Sequence, residues 1–138
     1  GKKIDTRARK FLKKSKLDYA HGTGHGVGFF LNVHEGPQSI SKINKVKLKE
    51  GMIVSNEPGF YQKDKFGIRI ENLVYVKRQN KRLFFENLTT APIEKDLINY
   101  HLLTNFEKNY LFKYHLNVYS KISKFLNLNE KKWLASLI

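Results

Sequence analysis

His21 and His25 stand four residues apart in HGTGHGVG, a stretch in which glycine fills every second position. Histidines at that spacing share one face of a helix, a known way to hold a metal. A helix is disfavoured here, because each glycine costs about 1 kcal/mol in a helix interior relative to alanine. An extended segment fits better. Residues an even number apart then point the same way, and the glycines let the backbone bend and approach a neighbour closely. A third histidine, His34, follows in NVHEGP just before a turn. One histidine alone is ordinarily a hydrogen-bonded residue; three framed by glycines suggest a common pocket.

Two carboxylates add to this set. FGIRIENLVYVK alternates and reads as a strand from Phe66 to Lys77. Ile68, Ile70, Val74 and Val76 would share one face, and Arg69, Glu71, Leu73 and Tyr75 the other. Glu71 is then a mid-strand carboxylate among apolar neighbours, costly to bury unless paired or bound to a metal. Arg69 offers an ion pair; a metal is the alternative. In MIVSNEP, Ile53, Ser55 and Glu57 share a face, and Glu57 stands at a strand end before Pro58-Gly59. Two carboxylates and an imidazole make a hard, mostly oxygen donor set suited to Mn²⁺, Co²⁺, Zn²⁺ or Fe²⁺. A two-metal site needs carboxylates that bridge and flank both ions. These residues therefore point to a hydrolytic metal site with further ligands expected elsewhere.

The elements that must position these groups follow from pattern. Asp5 is expected to cap a helix through about Lys14, with Ala8, Phe11 and Leu12 as its apolar stripe. Pro37 to Glu50 reads as loop. Gly51 opens a short strand stopped by Pro58-Gly59. Residues 78–81 form a turn, and Leu83 to Thr89 return as a hairpin arm. After Pro92 the pattern becomes helical. Thr104 and Glu107 make a capping box for a helix to about Phe125, with Leu111, Tyr114, His115, Val118, Ile122 and Phe125 along one side. Asn127 or Asn129 caps a last helix carrying Trp133, Leu134 and Leu137. The layout is α+β, with residues 1–92 holding the strands and residues 93–138 a helical extension.

Composition narrows the function classes. There is no cysteine, so a disulfide framework or thiolate site is excluded; that fits a cytoplasmic protein. No apolar run approaches a membrane span. The net charge is +14, but it is dispersed over several elements and is mostly lysine. A solvated lysine-rich surface explains it better than a specific nucleic-acid site. The chain starts with Gly inside a helical pattern and reads as part of a longer protein.

Taken in order, HGTGHGVG, NVHEGP, GMIVSNEPGFY and GIRIENL resemble the Xaa-Pro aminopeptidases (aminopeptidase P). These are metallopeptidases of the pita-bread fold, related to methionine aminopeptidase, prolidase and creatinase. The resemblance implies that the chain is the C-terminal portion of such a fold, an antiparallel sheet with flanking helices. It implies two divalent metal ions, Mn²⁺ first and Zn²⁺ or Co²⁺ as alternatives, held by two aspartates, a histidine and two glutamates. By motif match the ligands here are His25, Glu57 and Glu71. Glu57 also carries the acid/base work, and His21 and His34 line the substrate pocket and steady the intermediate. The two aspartates belong upstream of residue 1; Asp5, Asp18 and Asp64 are poor stand-ins. The implied reaction is attack of a metal-bridged hydroxide on the X–Pro bond at a peptide N-terminus. The implied partner is thus a peptide with proline second, with neither nucleic acid nor membrane. The 138 residues alone are expected to bind metal weakly and catalyse little. The helical tail resembles that of the longer members and could support a homodimer. The alternatives are a prolidase-type dipeptidase and an inactive pita-bread module that binds proteins or peptides.

Overall fold

In the computed structural model, which describes residues 1–30 and 32–138, two short helices (α1, Lys2–Ala8; α2, Lys10–Lys14) lead into a series of strands. These are β1 (Gly24–His25), β2 (Ser39–Ile40), β3 (Ile53–Asn56), β4 (Gly59–Gln62), β5 (Phe66–Arg69), β6 (Asn72–Gln79) and β7 (Arg82–Asn87). Helices α3 (Asn105–Ile122) and α4 (Leu128–Ala135) follow. Leu31, inside the run from Phe29 to Pro37, lies outside the described residues. The chain divides into two compact units, Gly1–Thr89 and Thr90–Ile138.

A long antiparallel hairpin organises the first unit. β3 pairs with β6, Val54 opposite Val74 and Asn56 opposite Asn72. β4 pairs with β5, Gly59 opposite Arg69. One register runs through both ladders, so it sets Glu57 opposite Glu71 and Pro58 opposite Ile70 in the gap between them. Pro58 has no N–H to donate, which suits a break in the ladder at this point. β6 then turns at Asn80, whose φ of 51° lies in the left-handed region that asparagine tolerates, and pairs with β7.

Two expectations are corrected here. The strand expected to run unbroken from Phe66 to Lys77 is split at Ile70 and Glu71. Both residues are exposed, Ile70 by 47%; Glu71 is not a buried mid-strand carboxylate. The alternation is real in the second arm, where Val74 and Val76 are buried, but sequence period alone does not register a ladder break.

Along the other edge of β3 lies the histidine segment, extended as its glycines require. Gly26 bridges Val54. The Val27 N–H donates to the Ile53 carbonyl at 3.3 Å, and the Glu57 N–H to the Thr23 carbonyl at 2.8 Å. β1 pairs with β2, placing Gly24 opposite Ile40. The stretch expected as loop therefore supplies a strand and a core residue. Ile40, Val54 and Val74 form that core, with Ile4 and Leu48 packed against it.

Asp5 is not a helix cap. It sits inside α1, wholly buried, and the N-cap is Gly1. Its partner is Arg9, one turn later and 2% exposed, where α1 gives way to α2. Arg9 Nε donates to both Asp5 oxygens at 3.0 and 2.9 Å. Nη1 donates to Asp18 at 2.6 Å and to the Tyr19 carbonyl at 2.7 Å, and Nη2 to the His21 carbonyl at 2.6 Å. The Tyr19 ring lies 3.9 Å from the guanidinium carbon. Thr23 donates its hydroxyl proton to Asp5 at 2.7 Å, so Tyr19 must donate to Thr23. Burial pushes the Asp5 carboxyl up, but the hydrogen bonds from Arg9 and Thr23 and the Arg9 charge outweigh it and hold the carboxyl below its ordinary value. Hydrogen bonds from Arg9 and Lys42 hold Asp18 well below the usual carboxylate range. Phe11, expected on an apolar stripe, is 68% exposed.

In the second unit, Tyr114 and Val118 of α3 pack with Leu134 of α4, and Ile93, Ile122 and Leu137 close around them. Both helices start with capping boxes, Thr104 with Glu107 and Asn127 with Glu130. Buried His115 accepts the Ile93 N–H at Nε2. Phe125, expected along the apolar side of α3, is 75% exposed, and Trp133, carried by the last helix, is 60% exposed. No described helix is long and apolar enough to cross a membrane.

Arg9→Ala leaves buried Asp5 without its charge partner and is expected to destabilise the protein by about 3–5 kcal/mol, read from urea unfolding. The pH dependence has a definite sign. Asp5 and Asp18 have lower pKa values folded than unfolded, so their stabilisation is present above about pH 4 and lost as the pH falls below it. Melting temperature is expected to drop between pH 5 and pH 3, and less steeply in Asp18→Asn, where one of the two titrations is removed.

Candidate metal centre

Glu57 ends the β3 arm and Glu71 precedes the β6 arm, on opposite sides of the ladder break. Like charges directly across an antiparallel pair repel, so this register calls for a cation near both. His25 supplies the third group. Its Nδ1 lies 2.9 Å from the Gly26 carbonyl, which can only accept, so Nδ1 carries the proton. In the neutral ring Nε2 is then an unprotonated donor atom, and it faces Glu57 Oε1 at 3.3 Å. Donor atoms of His25, Glu57 and Glu71 all lie within 4.8 Å of one another. Glu57 is 8% exposed, His25 half-buried and Glu71 exposed. Two carboxylates and an imidazole with its tautomer set by a backbone carbonyl fit a borderline-hard divalent ion.

His21 is held apart from these three. Its Nδ1 donates to the Gly22 carbonyl at 2.7 Å, leaving Nε2 to accept from the Tyr61 hydroxyl at 2.8 Å. That hydroxyl accepts from Arg69 Nε at 2.8 Å. Arg69 Nη1 reaches back to Glu57 Oε2 at 3.4 Å. The hydrogen bond to Tyr61 raises the Arg69 pKa further, and the Glu57 and Glu71 charges add to this. Arg69 is thus tied to Glu57 and Tyr61 rather than serving only as an ion-pair partner of Glu71. His34 is exposed, and its ring lies over that of His25 with centroids 3.9 Å apart.

Sequence reasoning missed Tyr61, Ser55 and Thr23 as members of this network. Ser55 donates to Glu57 Oε1 at 2.9 Å. The signal was present: Ser55 and Glu57 share a strand face at i and i+2. For Tyr61 and Thr23 the partners come from distant sequence, and no local pattern marks them.

The histidine segment reaches β3 only because of its glycines. A Cβ on Gly24 would lie 1.9 Å from the Ser55 carbonyl oxygen, and one on Gly26 2.0 Å from that of Glu35. Gly24→Ala is therefore expected to push β1 off β3 and destabilise the protein by about 1–3 kcal/mol in denaturant unfolding. Gly36→Ala, where nothing lies within 4 Å of an added Cβ, is expected to stay within about 0.5 kcal/mol of the parent.

The chain as a whole is similar to known metallopeptidases. Residues 1–78 match the model of metallopeptidase family M24, and residues 81–137 match the model of the C-terminal region of peptidase M24. A probable Xaa-Pro aminopeptidase P of Coprinopsis cinerea is 48% identical over 97% of this chain and 23% of its own length. The crystal structure of X-prolyl aminopeptidase from Caenorhabditis elegans, described as a cytosolic enzyme with a di-nuclear active site, superposes with a TM-score of 0.90. It is 40% identical, covering 99% of this chain and 24% of that one. Prolidase from Pyrococcus furiosus is 36% identical over 61% of this chain and 24% of its own, with a TM-score of 0.53. The chain spans about a quarter of the length of the relatives it matches. Its two units have the α+β architecture of a pita-bread fold, antiparallel strands flanked by helices with a helical tail, and the chain belongs to metallopeptidase family M24, as part of its C-terminal region.

Proposed function

We propose that this chain contributes three of the five ligands of a two-metal centre to a cytoplasmic Xaa-Pro aminopeptidase, which releases the N-terminal residue from peptides with proline second. The observation that carries this reading is the convergence of His25, Glu57 and Glu71 donor atoms at the break in one hairpin. The aminopeptidase relatives match 97% and 99% of this chain, through α3 and α4, whereas prolidase matches 61%, and this favours an aminopeptidase over a dipeptidase.

His25, Glu57 and Glu71 would hold divalent metal, Mn²⁺ in our reading, with the two aspartates supplied by sequence outside these residues. Bound metal would lower the pKa of a coordinated water, so that a nucleophile exists near neutral pH. Glu57 is the acid/base: its carboxylate takes the proton released as water attacks the carbonyl before proline, then returns it to the leaving proline nitrogen. Arg69 and Ser55 hold the two Glu57 oxygens in place for this. His34, exposed beside His25, would donate to the substrate carbonyl oxygen as charge develops on it. His21, anchored through Tyr61, lines the pocket for the substrate.

The test is hydrolysis by the full-length protein that carries this chain. Tripeptides of the form X-Pro-Pro are expected to release X in the presence of Mn²⁺, lose that activity to a chelator, and regain it on adding Mn²⁺. Glu57→Gln is expected to lower kcat about 10²–10⁴-fold. Cleavage confined to X-Pro dipeptides would replace this reading with a prolidase, and metal-independent peptide binding without turnover would replace it with a binding module.

A further inference from the structure

Ser55 is fully buried on β3, two residues before Glu57. Its hydroxyl makes two bonds with fixed directions. The oxygen accepts the His25 backbone N–H at 2.9 Å, and the single proton is donated to Glu57 Oε1 at 2.9 Å. A backbone N–H can only donate, so these roles cannot be exchanged while Glu57 is ionised. Oε1 is the same oxygen that faces His25 Nε2. One side chain therefore touches both the segment that carries the histidine and the carboxylate that must meet it. The Ser55 carbonyl packs against Gly24 where a Cβ would otherwise stand. Neither Arg69, which meets the other Glu57 oxygen, nor Thr23, whose carbonyl takes the Glu57 N–H, makes this double contact.

We propose that Ser55 is a positioning residue for the metal centre: its hydroxyl holds the Glu57 carboxylate at the distance and rotamer from His25 at which both can bind one divalent ion. The inference rests on the metal centre proposed above. Groups that orient metal ligands in this way commonly govern metal affinity about 10–100-fold.

The experiment is titration of the full-length protein that carries this chain with Mn²⁺, read by the loss of the free-ion electron paramagnetic resonance signal, with thermal unfolding recorded alongside. Ser55→Ala is expected to weaken Mn²⁺ binding about 10–100-fold. Ser55→Thr, which keeps the hydroxyl, is expected to restore it to within about threefold of the parent. Ser55→Cys fills similar space with only a weak donor and is expected to behave like Ser55→Ala. This comparison stands even where Ser55→Ala lowers the melting temperature. In a Glu57→Gln background, Ser55→Ala is expected to weaken binding by less than it does in the parent, since part of its effect runs through Glu57. Affinity equal to the parent in both Ser55→Ala and Ser55→Cys would overturn the role of Ser55 alone. Absence of saturable Mn²⁺ binding in the full-length parent protein would overturn the metal centre itself, and this inference with it.

Discussion

The buried Arg9 guanidinium is the constraint on which the candidate site depends. Its donors are shared among Asp5, Asp18 and the carbonyls of Tyr19 and His21. A helix face, a loop and the start of the histidine segment are thereby joined by one charge. A buried charge demands such completeness, because a missing partner leaves it desolvated and uncompensated. The knot also reaches further. Thr23 gives its hydroxyl to Asp5 and its carbonyl to the Glu57 N–H. A path of three residues, Asp5, Thr23 and Glu57, thus runs from the α1 helix to the backbone of the glutamate at the centre of the site.

The second organising feature is the interrupted hairpin. Continuous pairing at Glu57 and Glu71 would use the backbone there for the ladder. The break at Pro58 leaves two acidic residues facing each other where the strands part, with Arg69 beside one of them. Strand ends and breaks are where side chains escape the sheet faces, so function gathers at them while the paired arms on either side supply rigidity. Serine and glycine complete the arrangement. Small residues let β1 lie against β3, and the Ser55 hydroxyl turns that close approach into a defined contact between ligand-bearing segments.

The second unit follows different physics. Its capping boxes and i, i+4 pattern specify helices locally, and Tyr114, Val118 and Leu134 bury their faces. Many of its aromatics, Phe106, Phe112, Phe125 and Trp133 among them, remain exposed. Phe125 shares the apolar side of α3 by pattern and is still exposed, because periodicity reports which residues share a side of a helix and not how much of that side a small unit can cover.

Much of the site was legible in the sequence by itself. The glycine-framed histidines ruled out a helix through backbone entropy. The i, i+2 period put Ser55 and Glu57 on one face, and the ordered motifs pointed to the metallopeptidase family that comparison then showed. Capping chemistry placed the starts of α3 and α4 for the same reason: each is decided within four residues of chain. What only the tertiary structure decided involves partners far apart in sequence. It showed the ladder break that exposes Glu71, the burial of Asp5 beneath Arg9, and the His21–Tyr61–Arg69 chain that ends at Glu57. Local pattern carries the propensity of each segment. Which charge meets which, and where a strand must stop, depends on distant groups competing for the same hydrogen bonds once the chain has closed.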